Sequence, residues 1–161
     1  MNFLLAHSEI DLLGGAILER IEGGETRRRV VPQSHSEIVR WSRWRNPMNH
    51  MTTFFKTAAF RRCHGYPDIP YKEDYALWLK MIASGATLAN LPDDLVLVNV
   101  TSDQIRRRSG LKNLRSEYEL YKLKKEVEGI ENPIALFSLV ARATALSFRW
   151  NLPILYTYIL R

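Results

Sequence analysis

From Ile10 to Ile21 the chain is almost continuously apolar, with isoleucines and leucines around the small pair Gly14-Gly15. Such a run predicts a strand, and the glycines mark a bulge or a close backbone approach. Glu22-Gly23-Gly24-Glu25 reads as a turn. Ser34 followed three residues later by Glu37 has the form of a capping box. It predicts a helix running to about Trp44 and stopped by Pro47. Met51 to Lys56 reads as a strand, Ala58 to Cys63 as a short helix ended by Gly65, and Tyr66 to Pro70 as a loop. Glu73 to Ala83 places Tyr75, Trp78, Leu79 and Ile82 on one apolar stripe and predicts a helix, with Gly85 as its cap. Leu95 to Val100 predicts a buried strand. Ser109 to Glu128 predicts a long amphipathic helix with Leu111, Leu114, Tyr118 and Tyr121 on one face. Pro133 opens a last helix to about Trp150. Strands and helices alternate through residue 100 and helices follow, so the fold class is α/β with C-terminal helices.

Composition narrows the class. The chain has 161 residues, of which 46% are hydrophobic and 25% charged. That is enough for one domain with a real core, and it excludes a collagen-like, low-complexity or disordered chain. Cys63 is the only cysteine. No intrachain disulfide can form, which suits a reducing compartment. Met1 to Leu13 contains Glu9 and Asp11 and lacks the form of a secretory signal. The uncharged stretch Trp150 to Leu160 is too short to span a bilayer.

The net charge of +6 is unevenly spread. Basic blocks at 35–62 and 104–125 flank an acidic block at 63–103. That layout suits an anionic ligand held near carboxylates at least as well as a uniform nucleic-acid stripe. Glu73-Asp74 opens a helix. The ordinary role of such a pair is to offset the helix dipole; the functional one is a general base facing a cleft. Arg27-Arg28-Arg29 reads as surface. His7, His35 and His64 with Cys63 lack zinc-ligand spacing. Trp78 is expected to pack inward, whereas Trp44 beside Arg45 is the better candidate for stacking on a ligand.

One ordered series of residues is specific. Arg45-Asn46-Pro47-Met48-Asn49-His50-Met51-Thr52 is followed by Gly65-Tyr66. Glu73-Asp74-Tyr75-Ala76-Leu77-Trp78-Leu79, Gly85, Asn90-Leu91-Pro92 and the strand to Val100 then follow in order. Over about residues 8–110 this series resembles the C-terminal half of bacterial family 2 glycosyltransferases that build surface polysaccharides. The resemblance implies a partial GT-A, Rossmann-like fold lacking its N-terminal nucleotide-binding half. Residues 1–110 would form the acceptor side and 111–161 a helical C-terminal extension. It implies transfer of a sugar, with inversion, from a nucleotide diphosphate sugar to an acceptor hydroxyl, as in a hexosyltransferase.

In that resemblance Asp74 is the catalytic base, with Glu73 beside it. Asn49, His50, Trp44 and Arg45 contact acceptor or substrate. Arg106, Arg107 and Arg108 lie near the diphosphate, or else form a solvated basic turn. Ala76 stands where the family often has an acidic residue. The family's metal-holding Asp-x-Asp has no counterpart in the order, so no cofactor is expected in this chain. Mg or Mn is expected in a full-length parent. On this reading the isolated chain is truncated and inactive, and the strand Ile10 to Ile21 has an unpaired edge that favours self-association.

The partners implied are a nucleotide sugar and a saccharide or lipid-linked acceptor. Arg142 and Arg149, seven residues apart among Leu139, Leu146 and Phe148, suit either a membrane surface or packing on protein. The location would be cytoplasmic, peripheral at the inner face of the plasma membrane. A basic nucleic-acid-binding module and a membrane-peripheral interaction module are the alternatives. The absence of any helix-turn-helix, RNP, KH or zinc signature speaks against nucleic acid.

Overall fold

The Leu12–Ile21 run forms β1, which is buried from Leu12 to Ile17 and paired along both edges. The computed structural model describes residues 2–21, 24, 26–101, 111–128 and 133–147. A short helix, α1 (Asn2–Ala6), precedes β1. Strand β2 (Thr26–Arg29) pairs antiparallel with the far half of β1, in a register that sets Leu18 opposite Arg28. Strand β3 (Phe54–Phe55) pairs antiparallel with Leu12 and Leu13. Strand β4 (Leu88–Val100) runs parallel to β1 from Leu12 to Ile21. Because β4 takes one edge for its full length, β2 and β3 share the other. The open edge expected at Ile10–Ile21 is therefore not there. Among the described residues β2, β3 and β4 each pair with β1 alone, so the open edges are theirs.

The Gly14-Gly15 pair does what its small size suggested. The β1–β4 register shifts at Gly15/Ala16 and again at Ala16/Ile17. Pro92 falls in the bulged part of β4, where a missing N–H breaks no ladder bond. A side chain on Gly14 would put its Cβ 2.4 Å from Asn90 Oδ1 and 2.8 Å from Met48 Cε. Asn90 has no room to yield, because its Nδ2 donates to the carbonyls of Pro32 (2.7 Å) and Pro47 (3.2 Å).

Helix α2 (His35–Ser42) begins with the capping box read from Ser34 and Glu37. It stops at Ser42, one half-turn before Trp44. The Met51–Lys56 segment is not a continuous strand. His50–Thr52 is a 3₁₀ turn and only Phe54 and Phe55 pair. Helix α3 (Thr57–Arg62) ends with His64 at φ 61° and Gly65 at φ 71°, so the left-handed position falls one residue earlier than the glycine suggested. Helix α4 (Glu73–Ala83) has the predicted bounds. Gly85, at φ 79°, donates to the Ile82 carbonyl and Ala86 to the Met81 carbonyl, which satisfies the last turn in a Schellman arrangement.

Helix α4 is buried on more than the predicted stripe: Tyr75 through Leu79, and Met81, are all inaccessible. Leu77, Trp78 and Met81 pack with Leu12, Ile38, Met48 and Leu88 against the sheet. Tyr75, Ala76 and Leu79 pack with Ile69, Leu120 and the half-buried Leu123 on the opposite side. Leu120 and Leu123 belong to α5 (Leu111–Glu128), and α6 (Pro133–Ser147) packs on α5.

The structure changes one expectation here and adds to two others. Strand β4 begins at Leu88, not Leu95, and Leu95 and Leu97 are exposed rather than buried. Arg27–Arg29 lies at the surface, as read, and is also part of a paired strand, with Arg28 donating from Nε to Asp94 Oδ1 at 2.7 Å and from Nη2 to the Pro92 carbonyl. On α5 the buried side chains among those described are Asn113, Ser116, Glu117, Leu120 and Lys124, whereas Leu114 and Tyr121 of the apolar face are half-buried and Tyr118 is exposed.

The close approach at Gly14 predicts that Gly14→Ala lowers stability by about 1–3 kcal/mol through overpacking. Gly24→Ala, which would meet nothing nearer than the Ile21 carbonyl at 3.8 Å, should change it by less than about 0.5 kcal/mol. Urea unfolding of both variants checks this.

Candidate active site

The described site residues gather around the N-terminus of α4. Burial of Tyr75 to Met81 leaves the helix no freedom to roll, so its first turn points in one direction. Lys72 is the N-cap residue and makes no side-chain cap bond, which leaves the positive end of the helix to Glu73 and Asp74. Glu73 is exposed and Asp74 half-buried. Asp74 Oδ1 accepts from the Tyr75 backbone N–H at 2.7 Å and Oδ2 from Asn46 Nδ2 at 3.0 Å. The Asn46 Oδ1 in turn accepts from the Met48 N–H at 3.2 Å, which fixes how its amide faces. The carboxylate is thus oriented by one donor on each oxygen, and each oxygen keeps a lone pair for a further donor.

Tyr66 lies close enough to this carboxylate to feel its charge, and His50 pairs with Tyr66. His50 Nε2 and the Tyr66 hydroxyl are 3.0 Å apart. The His50 ring packs edge-on against Trp78 at 5.9 Å, and Tyr66 packs against Phe60 at 5.5 Å. Burial pushes the Tyr66 phenol above its ordinary pKa, and the charges of Asp74 and then Glu73 push it further. The phenol therefore lies within the field of the acidic pair.

Trp44 and Arg45 form a second group next in the chain to Asn46. The Arg45 guanidinium lies 4.7 Å from the Trp41 ring centroid and 5.2 Å from that of Trp44. The two indoles are 5.8 Å apart and tilted. Trp44 is exposed. An exposed indole backed by a guanidinium offers the flat, rigid face on which a sugar ring can stack.

Asn49 is placed differently. It is buried, and its Nδ2 donates to the Gly15 carbonyl at 2.8 Å, while Thr52 Oγ1 accepts from the Gly15 N–H at 3.0 Å. These two side chains tie the Asn46–Thr52 segment to the bulge of β1, beneath the exposed surface around Asp74. Arg106, Arg107, Arg108 and Arg149 lie outside the described residues, as does the side chain of Arg142. His35 is structural, its Nδ1 accepting from the Leu88 N–H. Among the described residues no three His, Cys, Asp or Glu side chains are grouped to hold a metal ion.

Asn46, Tyr66 and Tyr75 were not singled out from sequence, although all three lie in the ordered series. The position of Asn46 directly before Pro47 was the available signal. Proline forces the preceding residue into extended backbone, which turns that residue's side chain out of the α2 line.

The field at Tyr66 predicts a titration. Asp74→Asn should lower the Tyr66 pKa toward the ordinary tyrosine value, and Asp74→Asn with Glu73→Gln should lower it further. The part due to burial should survive in both. Carbon-13 NMR of the tyrosine ring carbons is the measurement, and an unmoved Tyr66 would remove it from the acidic pair's surroundings.

No protein-family model matches the chain. No solved structure matches it either. It is 36% identical over 124 residues to the amylovoran biosynthesis glycosyltransferase AmsE of Erwinia amylovora, covering 77% of this chain and 47% of that protein. It is 36% identical over 141 residues to an uncharacterized glycosyltransferase of Haemophilus influenzae, covering 85% of this chain and 52% of that protein. It is 27% identical over 128 residues to an Escherichia coli UDP-Gal:alpha-D-GlcNAc-diphosphoundecaprenol beta-1,3-galactosyltransferase, covering 76% of this chain and 46% of that protein. The chain thus spans about half the length of curated bacterial proteins, and those proteins are named glycosyltransferases.

Proposed function

We propose that this chain carries the acceptor side of a glycosyltransferase of family 2 and GT-A type, with Asp74 as its general base. The observation that carries the reading is the carboxylate itself. It lies in the first turn of a buried helix, and it is aimed by Asn46 and by the Tyr75 N–H, in a chain similar to glycosyltransferases.

In the proposed reaction Asp74 takes the proton of an acceptor hydroxyl as the hydroxyl oxygen bonds to the anomeric carbon of the donor sugar. The bond from that carbon to the diphosphate oxygen breaks, and the nucleoside diphosphate leaves with the electron pair. One displacement inverts the anomeric centre, so a single base suffices. Asn46 holds the carboxylate in place throughout, and Tyr66 with His50 lines the approach of the acceptor. Trp44 supplies a stacking face for its sugar ring.

The donor class is a nucleotide sugar and the acceptor a saccharide or lipid-linked saccharide. The names of the amylovoran and diphosphoundecaprenol enzymes support that choice, as does the basic-acidic-basic layout. Among the described residues no helix is long and apolar enough to cross a membrane.

In the enzyme that carries this chain, Asp74→Asn is expected to lower transfer by about 10²–10⁴-fold. Melting temperature and nucleotide-sugar binding should stay close to wild type, since the amide keeps one oxygen for Asn46. Wild-type transfer with a lowered melting temperature would leave Asp74 as dipole compensation only. Trp44→Ala should raise the acceptor KM by about tenfold, the scale of one lost stacking contact, with kcat little changed. An unchanged acceptor KM would take Trp44 out of the site.

A further inference from the structure

Helix α5 brings two buried charges against α4 and the end of α2. Glu117 Oε1 lies 2.6 Å from the Nζ of Lys72, the N-cap of α4, with both side chains largely buried. Two turns further along, Lys124 is buried with its Nζ 3.0 Å from the Arg43 carbonyl and 4.7 Å from the Tyr75 ring centroid. Tyr75, directly after Asp74, donates its hydroxyl to the Ser42 carbonyl at 2.8 Å. Ser42 and Arg43 are the end and the C-cap of α2, where unsatisfied carbonyls and the helix dipole favour a cation.

Burying an ammonium is costly unless it is well partnered. An apolar residue at position 124 could continue the contacts of Leu120 and Leu123 without that cost. What the lysine adds is a fixed end to α2. Three residues past Arg43 is Asn46, the donor to Asp74 Oδ2. A shift of the α2 end would carry Asn46 with it.

We propose that Lys124 is a positioning residue for the site. By holding the Arg43 carbonyl it fixes the turn between α2 and Pro47, and so the Asn46 amide that orients Asp74. Tyr75 is its partner in this, on the Ser42 carbonyl. The inference rests on the reading of Asp74 as base for its catalytic consequence, but not for its structural one. It also makes α5 part of the site, although α5 contributes none of the residues around Asp74.

The experiment uses the whole chain and compares Lys124→Met, Lys124→Arg and Tyr75→Phe with a Lys72→Met control. Amide hydrogen exchange is read at Trp44, Arg45 and Met48. The first two donate to the Trp41 carbonyl, and Met48 donates to Asn46 Oδ1. Lys124→Met should speed exchange at these three amides by about tenfold or more while the interior of α4 stays protected, as expected of local opening. Lys124→Arg should restore protection, and Lys72→Met should leave these amides as they are. In the enzyme that carries this chain, Lys124→Met should lower kcat by about tenfold with the nucleotide-sugar KM within about twofold, the pattern of a misplaced group.

Unchanged exchange at Trp44, Arg45 and Met48 in a folded Lys124→Met chain overturns the proposal. If that variant does not fold, Tyr75→Phe decides instead, with faster exchange at the same three amides supporting it and unchanged exchange overturning it. Because exchange is read without substrate, its outcome is independent of Asp74→Asn. Wild-type transfer by that variant would sink the base assignment alone.

Discussion

The site depends on the burial of α4 from both sides. Five consecutive residues, Tyr75 to Leu79, have almost no accessible surface. A helix placed at a surface needs only a stripe. One enclosed between a sheet and another helix must be apolar nearly all round. Here Leu77, Trp78 and Met81 meet the sheet side, while Tyr75, Ala76 and Leu79 meet Ile69 and α5. The polar residues of the first turn are then forced to the open end, which is where Glu73 and Asp74 lie. Each of the large side chains buried here is worth about 1.5–3 kcal/mol relative to exposure. The place of the Asp74 carboxylate is therefore backed by a large share of the core, and its two hydrogen bonds set its direction from there.

The other half of the site is a loop, and loops need separate anchors. The Asn46–Thr52 segment has few backbone ladder bonds of its own. It is held by buried amides instead. Asn49 and Thr52 reach the Gly15 peptide, and Asn90 spans the Pro32 and Pro47 carbonyls. Proline carbonyls in a buried turn have no strand partner, so an asparagine on β4 supplies the donor that the ladder cannot. The bulge at Gly15 and Ala16 and the missing Cβ of Gly14 make the space for this. Side chain, bulge and glycine are one device, and it sets the height of the loop relative to α4.

Much of this was legible in the chain. The Ser34–Glu37 box, the α4 bounds with Gly85 beyond them, the inward packing of Trp78 and the close approach at Gly14-Gly15 all follow from local rules: capping geometry, helical period and absent Cβ atoms. The ordered residues from Arg45 to Trp78 also pointed to the surface on which Asp74, Asn46, Tyr66 and His50 meet. What was not legible shares one cause. Arg27 to Arg29 lie at the surface as their charge suggests, but arginine carries no strand pattern, and they form a strand because the β1 edge needed a partner. Leu95 and Leu97 looked buried because they are apolar, yet after the bulge they lie on an open part of the sheet. On α5 the apolar residues share one face, and nothing in that pattern shows that Glu117 and Lys124 are buried.

By itself, then, the sequence determined the α2 cap, the α4 bounds and the close approach at Gly14, because helix caps, glycines and apolar periods act within a few residues. Which strand would be central, which edge would stay open, and which face of α5 would turn inward were decided only by tertiary structure. Each of those depends on what lies opposite, across separations such as the 81 residues between Arg43 and Lys124. The same holds for Asn46 and Asp74, 28 residues apart. Their hydrogen bond exists because α2, the Pro47 turn and α4 are each held by something else.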